Sequence, residues 1–196
     1  MGCIGRNTMM NRQQMHEQLQ KKLSKNRYLH SLGVAYTAAS MAMRYDVEVN
    51  LALTAGLLHD CAKFLSDDEK IKKCQKHHLS VNEIEMDNPD LLHAKLSAHY
   101  ACKKYGVTNP EILSAIAYHT TGRANMTTLE KIIYVADYIE PNRMHLPDIE
   151  YIRKEAFEDL DQCFIYILKN SIAYLLKEGY TCHNISMEAY EYYIGG

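Results

Sequence analysis

Apolar residues recur every three or four positions along nearly the whole chain, the period of a helix that buries one face. In DQCFIYILKNSIAYLLKEG, Ile165, Leu168, Ile172 and Leu175 are spaced three, four and three apart, and Gly179 follows where a left-handed C-terminal residue is favoured. NPDLLHAKLSAHYACKKYG supplies Asn88 as N-cap, Pro89 as first helical residue and Gly106 as stop, and TNPEILSAIAYHT repeats the device with Asn109 and Pro110. SDDE (66–69), SVNE (80–83) and TTLE (127–130) fit the capping-box pattern, Ser66 and Thr127 standing directly before helical stretches. Alternating strand patterns with Asn-Gly or Asp-Gly turns do not occur. The pattern predicts helices near 11–24, 28–45, 48–61, 66–77, 89–105, 109–119, 127–138, 148–156 and 160–178, with a short one over 186–193. Nine or ten short helices need several packing directions, so the expected fold class is all-α, a compact helical globule and not an elongated bundle.

With 196 residues, 47% hydrophobic and 23% charged, the chain suits a single domain with a sizeable core. The expected division is a flexible N-terminus over 1–10 and one domain over 11–196. A net charge of −2 gives no general argument for a nucleic-acid or anionic-membrane partner, and no apolar run approaches the roughly 20 residues that cross a bilayer. The start, MGCIGR, has Arg6 where a myristoylation signal needs Ser or Thr, and the first ten residues hold no secretory apolar region. Six scattered cysteines without a C-x-x-C pair read as reduced thiols of a cytoplasmic protein.

The candidate chemistry lies in polar residues set among apolar ones. The stretch AGLLHDCAKFL places His59 and Asp60 side by side in an apolar run; His30, His93, His119 and Asp137 each interrupt a similar one. Taken singly, each is accounted for as a hydrogen-bonded core residue. Taken together, several imidazoles and two carboxylates in a helical interior suit a metal centre, because buried charge must be compensated. His16, His77, His78 and His145 lie in polar stretches and read as solvated, as does the basic KKLSKNR at 21–27. His99, six residues after His93, points about 240° away around the helix. Lys63 fits a phosphate contact and a surface lysine equally well and is not counted in the site. The methionines of SMAMR, and the tail tyrosines Tyr174, Tyr180, Tyr190, Tyr192 and Tyr193, read as packing residues.

The ordered set of His30, then His59–Asp60, then Asp137 resembles the HD-domain metal-dependent phosphohydrolase superfamily. GLLHDCAK, HTTG (119–122) and above all LEKIIYVADYIEPNR (129–143) resemble its branch of bacterial symmetrical bis(5′-nucleosyl)-tetraphosphatases, over roughly residues 15–195. The resemblance implies an HD-type domain in which His30, His59, Asp60 and Asp137 hold a divalent transition metal, iron above all, with manganese or zinc as alternatives and one or two ions. Asp60, His93 and His119 become the catalytic residues. His30, Asp60, His93, His119, Asp137, Tyr138, Arg143, Tyr180 and His183 become the substrate contacts. At the last of these the chain departs from the family's His-Pro, having Asn184 after His183. The implied reaction is hydrolysis of diadenosine tetraphosphate to two ADP by a metal-activated water. The implied partners are a dinucleoside polyphosphate or ADP, without nucleic acid or membrane, and a second copy in a homodimer. A broader HD nucleotidase or phosphodiesterase, and a non-catalytic nucleotide-binding sensor, are the alternatives. ADYIEPNR argues against the first and the full set of polar residues against the second.

Overall fold

A computed structural model describes residues 8–144, 146 and 148–195. Helix starts follow the side chains that can satisfy free backbone N–H groups. Asn11 with Gln14 opens α1 (Arg12–Lys22), Ser24 opens α2 (Lys25–Arg44), and Ser66 with Glu69 opens α4 (Asp67–Lys76) after α3 (Val49–Leu58). Asn82 with Glu85 opens α5 (Glu83–Asp87), and a 3-10 turn over Pro89–Leu91 leads into α6 (Leu92–Lys103). Asn109, with Pro110 at the first helical position, opens α7 (Pro110–Tyr118), and Thr127 with Glu130 opens α8 (Thr128–Ile139). The chain finishes with α9 (Ile149–Glu158), α10 (Leu160–Lys177) and α11 (Asn184–Ile194).

Among the described residues there is no strand, as the periodicity predicts, and there are eleven α-helices where nine or ten were expected. The additional one is α5, whose five residues are too few to show a period. Its cap is Asn82, not Ser80, whose carbonyl instead accepts from Lys95 Nζ. Asn88 makes no side-chain cap, and Pro89 opens the 3-10 turn, so α6 starts three residues later than expected. Of the expected flexible tail, 1–7 lies outside the described residues, and Met10 N–H donates to Tyr105 O at 3.0 Å. His145 also lies outside them.

One core runs from Met15 in α1 to Ala189 in α11, and α8 passes through it with Ile132, Ile133, Val135 and Ala136 fully buried. Helices α2, α3 and α7 pack around α8, and α6 closes against α7. The α2–α3 approach is set by Gly56: a Cβ there would lie 2.8 Å from Ala35 Cα, nearer than side-chain carbons come. That close crossing brings the middle of α2 beside the C-terminal end of α3. Cys61, Cys74, Cys163 and Cys182 are buried free thiols, whereas Cys102 is disulfide-bonded, so the expectation of reduced thiols holds for the four. In SMAMR, Met41 is buried and Met43 exposed. Tyr193 packs edge-on against Phe164 and its Oη accepts from Met126 N, while Tyr174, Tyr180 and Tyr192 are exposed.

Candidate metal centre

Helix ends aim the polar residues at one another. His59 is the C-cap of α3 and Asp60 the next residue, in a turn where the 100° between neighbours on a helix no longer applies. His119 is the C-cap of α7, His93 lies in the first turn of α6, and His30 and Asp137 come from α2 and α8. His59 is fully buried, and His30, Asp60, His93 and His119 are 8% exposed or less.

Asp60 stands in the middle, with its two oxygens facing two ways. Oδ2 is 3.5 Å from His59 Nε2 and 3.9 Å from His30 Nε2. Oδ1 is 3.3 Å from His93 Nε2 and 3.7 Å from His119 Nε2. Asp137 Oδ1 closes the first side, 3.0 Å from His30 Nε2 and 3.9 Å from His59 Nε2. The ligand atoms fall into three overlapping groups, His30–His59–Asp60, His59–His119–Asp137 and Asp60–His93–His119, with all atoms of each group within 4.8 Å of one another.

The donor set fits a metal ion. His30 Nε2, His59 Nε2 and Asp60 Oδ1 are buried with no hydrogen-bond partner, a cost that coordination removes. Burial opposes ionisation of Asp60, yet His59, His93 and His119 hold its carboxyl well below the usual range. Asp137 is likewise depressed, with His30 and His59 outweighing burial. Burial lowers His93, and burial with the neighbouring His59 and His93 pushes His119 down to about 3. Ionised carboxylates and neutral imidazoles are the forms that ligate metals. His59 runs the other way: burial lowers it, but the Asp60 and Asp137 carboxylates outweigh burial and raise it above 6.5. A proton is therefore retained on His59 to higher pH in the metal-free protein, and a metal must displace it. Metal affinity is expected to weaken as pH falls through the neutral range and to level off above the raised His59 value. Titration of stripped protein with Mn2+ at several pH values checks this, and an affinity flat from pH 6 to 8 contradicts it.

Three charged residues outside the expected set reach this cluster, each one helical turn from a member of it. Arg27, three residues before His30, donates from Nη1 to Asp60 Oδ2 at 2.7 Å. It is not part of a solvated helix end, because Ser24 breaks the basic run and turns α2 toward the site. Lys63, three residues after Asp60, donates to Asp90 Oδ2 at 2.6 Å and lies 3.2 Å from His93 Nδ1. Glu140, three residues after Asp137, is 1% exposed and 3.1 Å from His30 Nδ1 through Oε1. Thr120 Oγ1 also comes within 3.3 Å of His93 Nε2.

A cleft beside the cluster is lined by His119, Thr120, Tyr134, Asp137, Tyr138, Arg143, Leu146 and Ser171. Asp137, Tyr138 and Arg143 thus come together as expected, with Arg143 Nη2 3.2 Å from Asp137 Oδ1. Tyr180 and His183 do not line it. Tyr180 is 59% exposed. His183 is buried as the N-cap of α11, accepting from Ile185 N–H at 3.2 Å and meeting Asn82 Nδ2 at 3.1 Å, because Asn184 starts the helix. The other histidines are also placed: His99 stacks on His77 at 4.2 Å, His16 bonds Tyr28 Oη at 3.0 Å, and only His78 of these is exposed. His16 and His77 are thus half-buried by neighbouring rings and not simply solvated.

The HD domain family model matches residues 27–142 of this all-helical chain, a span that contains the whole His/Asp cluster on its five chain segments. A "Bis(5'-nucleosyl)-tetraphosphatase, symmetrical" of Bacillus subtilis (strain 168) is 36% identical over 95% of this chain and 100% of its own length. A protein of the same description from Halalkalibacterium halodurans is 38% identical over 92% of this chain and 96% of its own. The solved structure of a protein from Clostridium acetobutylicum described as a "predicted HD superfamily hydrolase involved in NAD metabolism" superposes with a TM-score of 0.93 at 37% identity, covering 96% of this chain and 99% of that one. The chain belongs to the HD-domain hydrolases, in the family of the symmetrical bis(5′-nucleosyl)-tetraphosphatases.

Proposed function

We propose that residues 11–196 act as one HD-type unit that hydrolyses diadenosine tetraphosphate symmetrically to two ADP. The observation that carries this reading is the two-sided Asp60 carboxylate, flanked by His30 and His59 on one side and by His93 and His119 on the other, beside a cleft that holds Arg143. The relatives described by this activity support the substrate.

His30, His59, Asp60 and Asp137 would hold a first ion, and His93 and His119 would either hold a second one or contact the substrate phosphates. A metal bound here supplies charge to screen the phosphates and lowers the pKa of a water from about 15.7 toward roughly 7. The chain's own residues do the rest. Asp60 and Asp137 orient the attacking water by accepting its hydrogen bonds. Arg143, 41% exposed at the cleft, donates to a phosphate from a planar fork, and Tyr138 offers a ring to the nucleoside. Burial of the cluster removes competing water and strengthens each of these interactions. Symmetry of the products requires attack at an inner phosphorus, with ADP leaving.

The imidazole–carboxylate set suits iron, manganese or zinc better than magnesium, and iron is the ion of this reading. A homodimer in the cytoplasm completes it. Removing metal with a chelator is expected to abolish hydrolysis, and Fe2+ is expected to restore it better than Mg2+. Full activity after complete stripping would refute a metal mechanism.

A further inference from the structure

A histidine that ligates through Nε2 needs its proton on Nδ1, and something must hold that proton there. For three of the four imidazoles, a backbone carbonyl three residues earlier does so. His59 Nδ1 lies 2.7 Å from Gly56 O, His119 Nδ1 lies 2.7 Å from Ile116 O, and His93 Nδ1 bonds Asp90 O. A carbonyl oxygen only accepts, so each of these rings carries hydrogen on Nδ1 and turns Nε2 toward Asp60, the nitrogen left to a metal. The carbonyls are available because they lie in the last turns of α3 and α7 and in the 3-10 turn before α6. His30 has no such option. It is the sixth residue of α2, surrounded by carbonyls of the helix ladder, and Arg27 O three residues back already accepts from Ser31 Oγ.

We propose that Glu140 is the positioning residue for His30, holding the imidazole in the tautomer that leaves Nε2 free to bind metal. Its Oε1 is 3.1 Å from His30 Nδ1. Its Oε2 accepts from Asn142 N–H at 2.8 Å and Asn142 Nδ2 at 2.9 Å, so the carboxylate cannot swing away. Arg153 clamps the backbone behind it, donating to Ile139 O at 3.1 Å and Glu140 O at 3.2 Å. The space for this carboxylate is made by Gly33, one turn after His30 on the same helix. A Cβ at Gly33 would collide with Glu140 Oε2. Gly33 and Glu140 thus form one device, a cleared helix face and the acceptor that fills it.

Because three donors converge on this carboxylate, glutamine cannot replace it. If the amide oxygen accepts from His30 Nδ1–H, the amide NH2 faces the two Asn142 donors. If the amide is turned over, its NH2 donates to Nδ1 and drives the proton to Nε2, the nitrogen that must bind metal.

This inference rests on the metal-centre reading above, and its test separates the two. Metal-stripped full-length protein is titrated with Mn2+ for the wild type, Glu140→Gln, His30→Ala and the double variant. The Glu140→Gln change is expected to weaken binding about 10–100-fold in the wild-type background. In the His30→Ala background it is expected to add nothing, because Glu140 acts through His30. An equal loss in both backgrounds, or none in the first, overturns the inference. Nitrogen-15 NMR of histidine-labelled wild-type protein gives a readout that no variant's folding can confound: hydrogen on His30 Nδ1 is expected, and a neutral ring with hydrogen on Nε2 overturns the assignment. If the wild type takes up no metal, the metal-centre reading falls, while the His30 tautomer still decides the role of Glu140.

Discussion

The Asp60→Ala protein is expected to arrive folded, to retain little metal and to lose at least about 1,000-fold in hydrolysis, which is roughly 4 kcal/mol of transition-state stabilisation at 1.36 kcal/mol per tenfold. The expectation follows from position. Asp60 is 2% exposed, it is the one residue whose two oxygens face both histidine pairs, and it carries the only carboxylate within 4 Å of His93 and His119 among the described residues. Without it the two halves of the cluster are no longer joined by an anion. Neither Asp137, on the far side, nor Glu140, behind His30, can take its place. The change should not unfold the chain, because Asp60 is a desolvated charge whose favourable partners are themselves part of the site. Circular dichroism, metal analysis and turnover on the same sample check all three parts. Near-normal metal content together with a near-normal rate would remove Asp60 from the centre of the account.

The Glu130→Ala protein is expected to lose roughly 3–5 kcal/mol of stability, the usual cost of removing one member of a buried, hydrogen-bonded pair. Glu130 is fully buried and serves three neighbours at once. It pairs with Arg123 at 2.8 and 3.0 Å, accepts from Thr127 N–H at 2.7 Å as the return half of the α8 capping box, and accepts from Ser114 Oγ of α7. Its loss strands the Arg123 guanidinium and frees the start of α8 together with the segment after His119. Urea denaturation of the metal-free protein measures this. A change below about 1 kcal/mol would mean that the pair is no more than the surface ion pair that Arg123, 30% exposed, would otherwise form.

The pattern of residues made some features plain and hid others. His30, His59, Asp60, His93, His119 and Asp137 stand out in sequence because each interrupts an apolar helix, where an uncompensated polar group is costly. Arg27 and Glu140 do not stand out, and Lys63 reads equally as a phosphate contact and as a surface lysine. Charged residues in polar stretches look alike whether they face water or fold back on the site, and only the one-turn spacing from a ligand distinguishes these three. Gly33 was equally silent, since its role is to leave a space that Glu140 fills from more than a hundred residues away. Helix α5 went unseen because five residues carry no period, and the 3-10 turn at Pro89 was hidden behind a sequence that matches a helix start. His183, in a tail that resembles a nucleoside-binding stretch, stands as the N-cap of α11, its Nδ1 accepting from Ile185 N–H and its Nε2 3.1 Å from Asn82 Nδ2, a placement that the run of polar residues around it does not announce.

If a water held at the His/Asp cluster attacks an inner phosphorus of diadenosine tetraphosphate, the products carry the signature. Chromatographic analysis of the products formed by the metal-replete protein tests it most directly. Two ADP are expected for each diadenosine tetraphosphate consumed; equimolar ATP and AMP would rule out symmetrical hydrolysis.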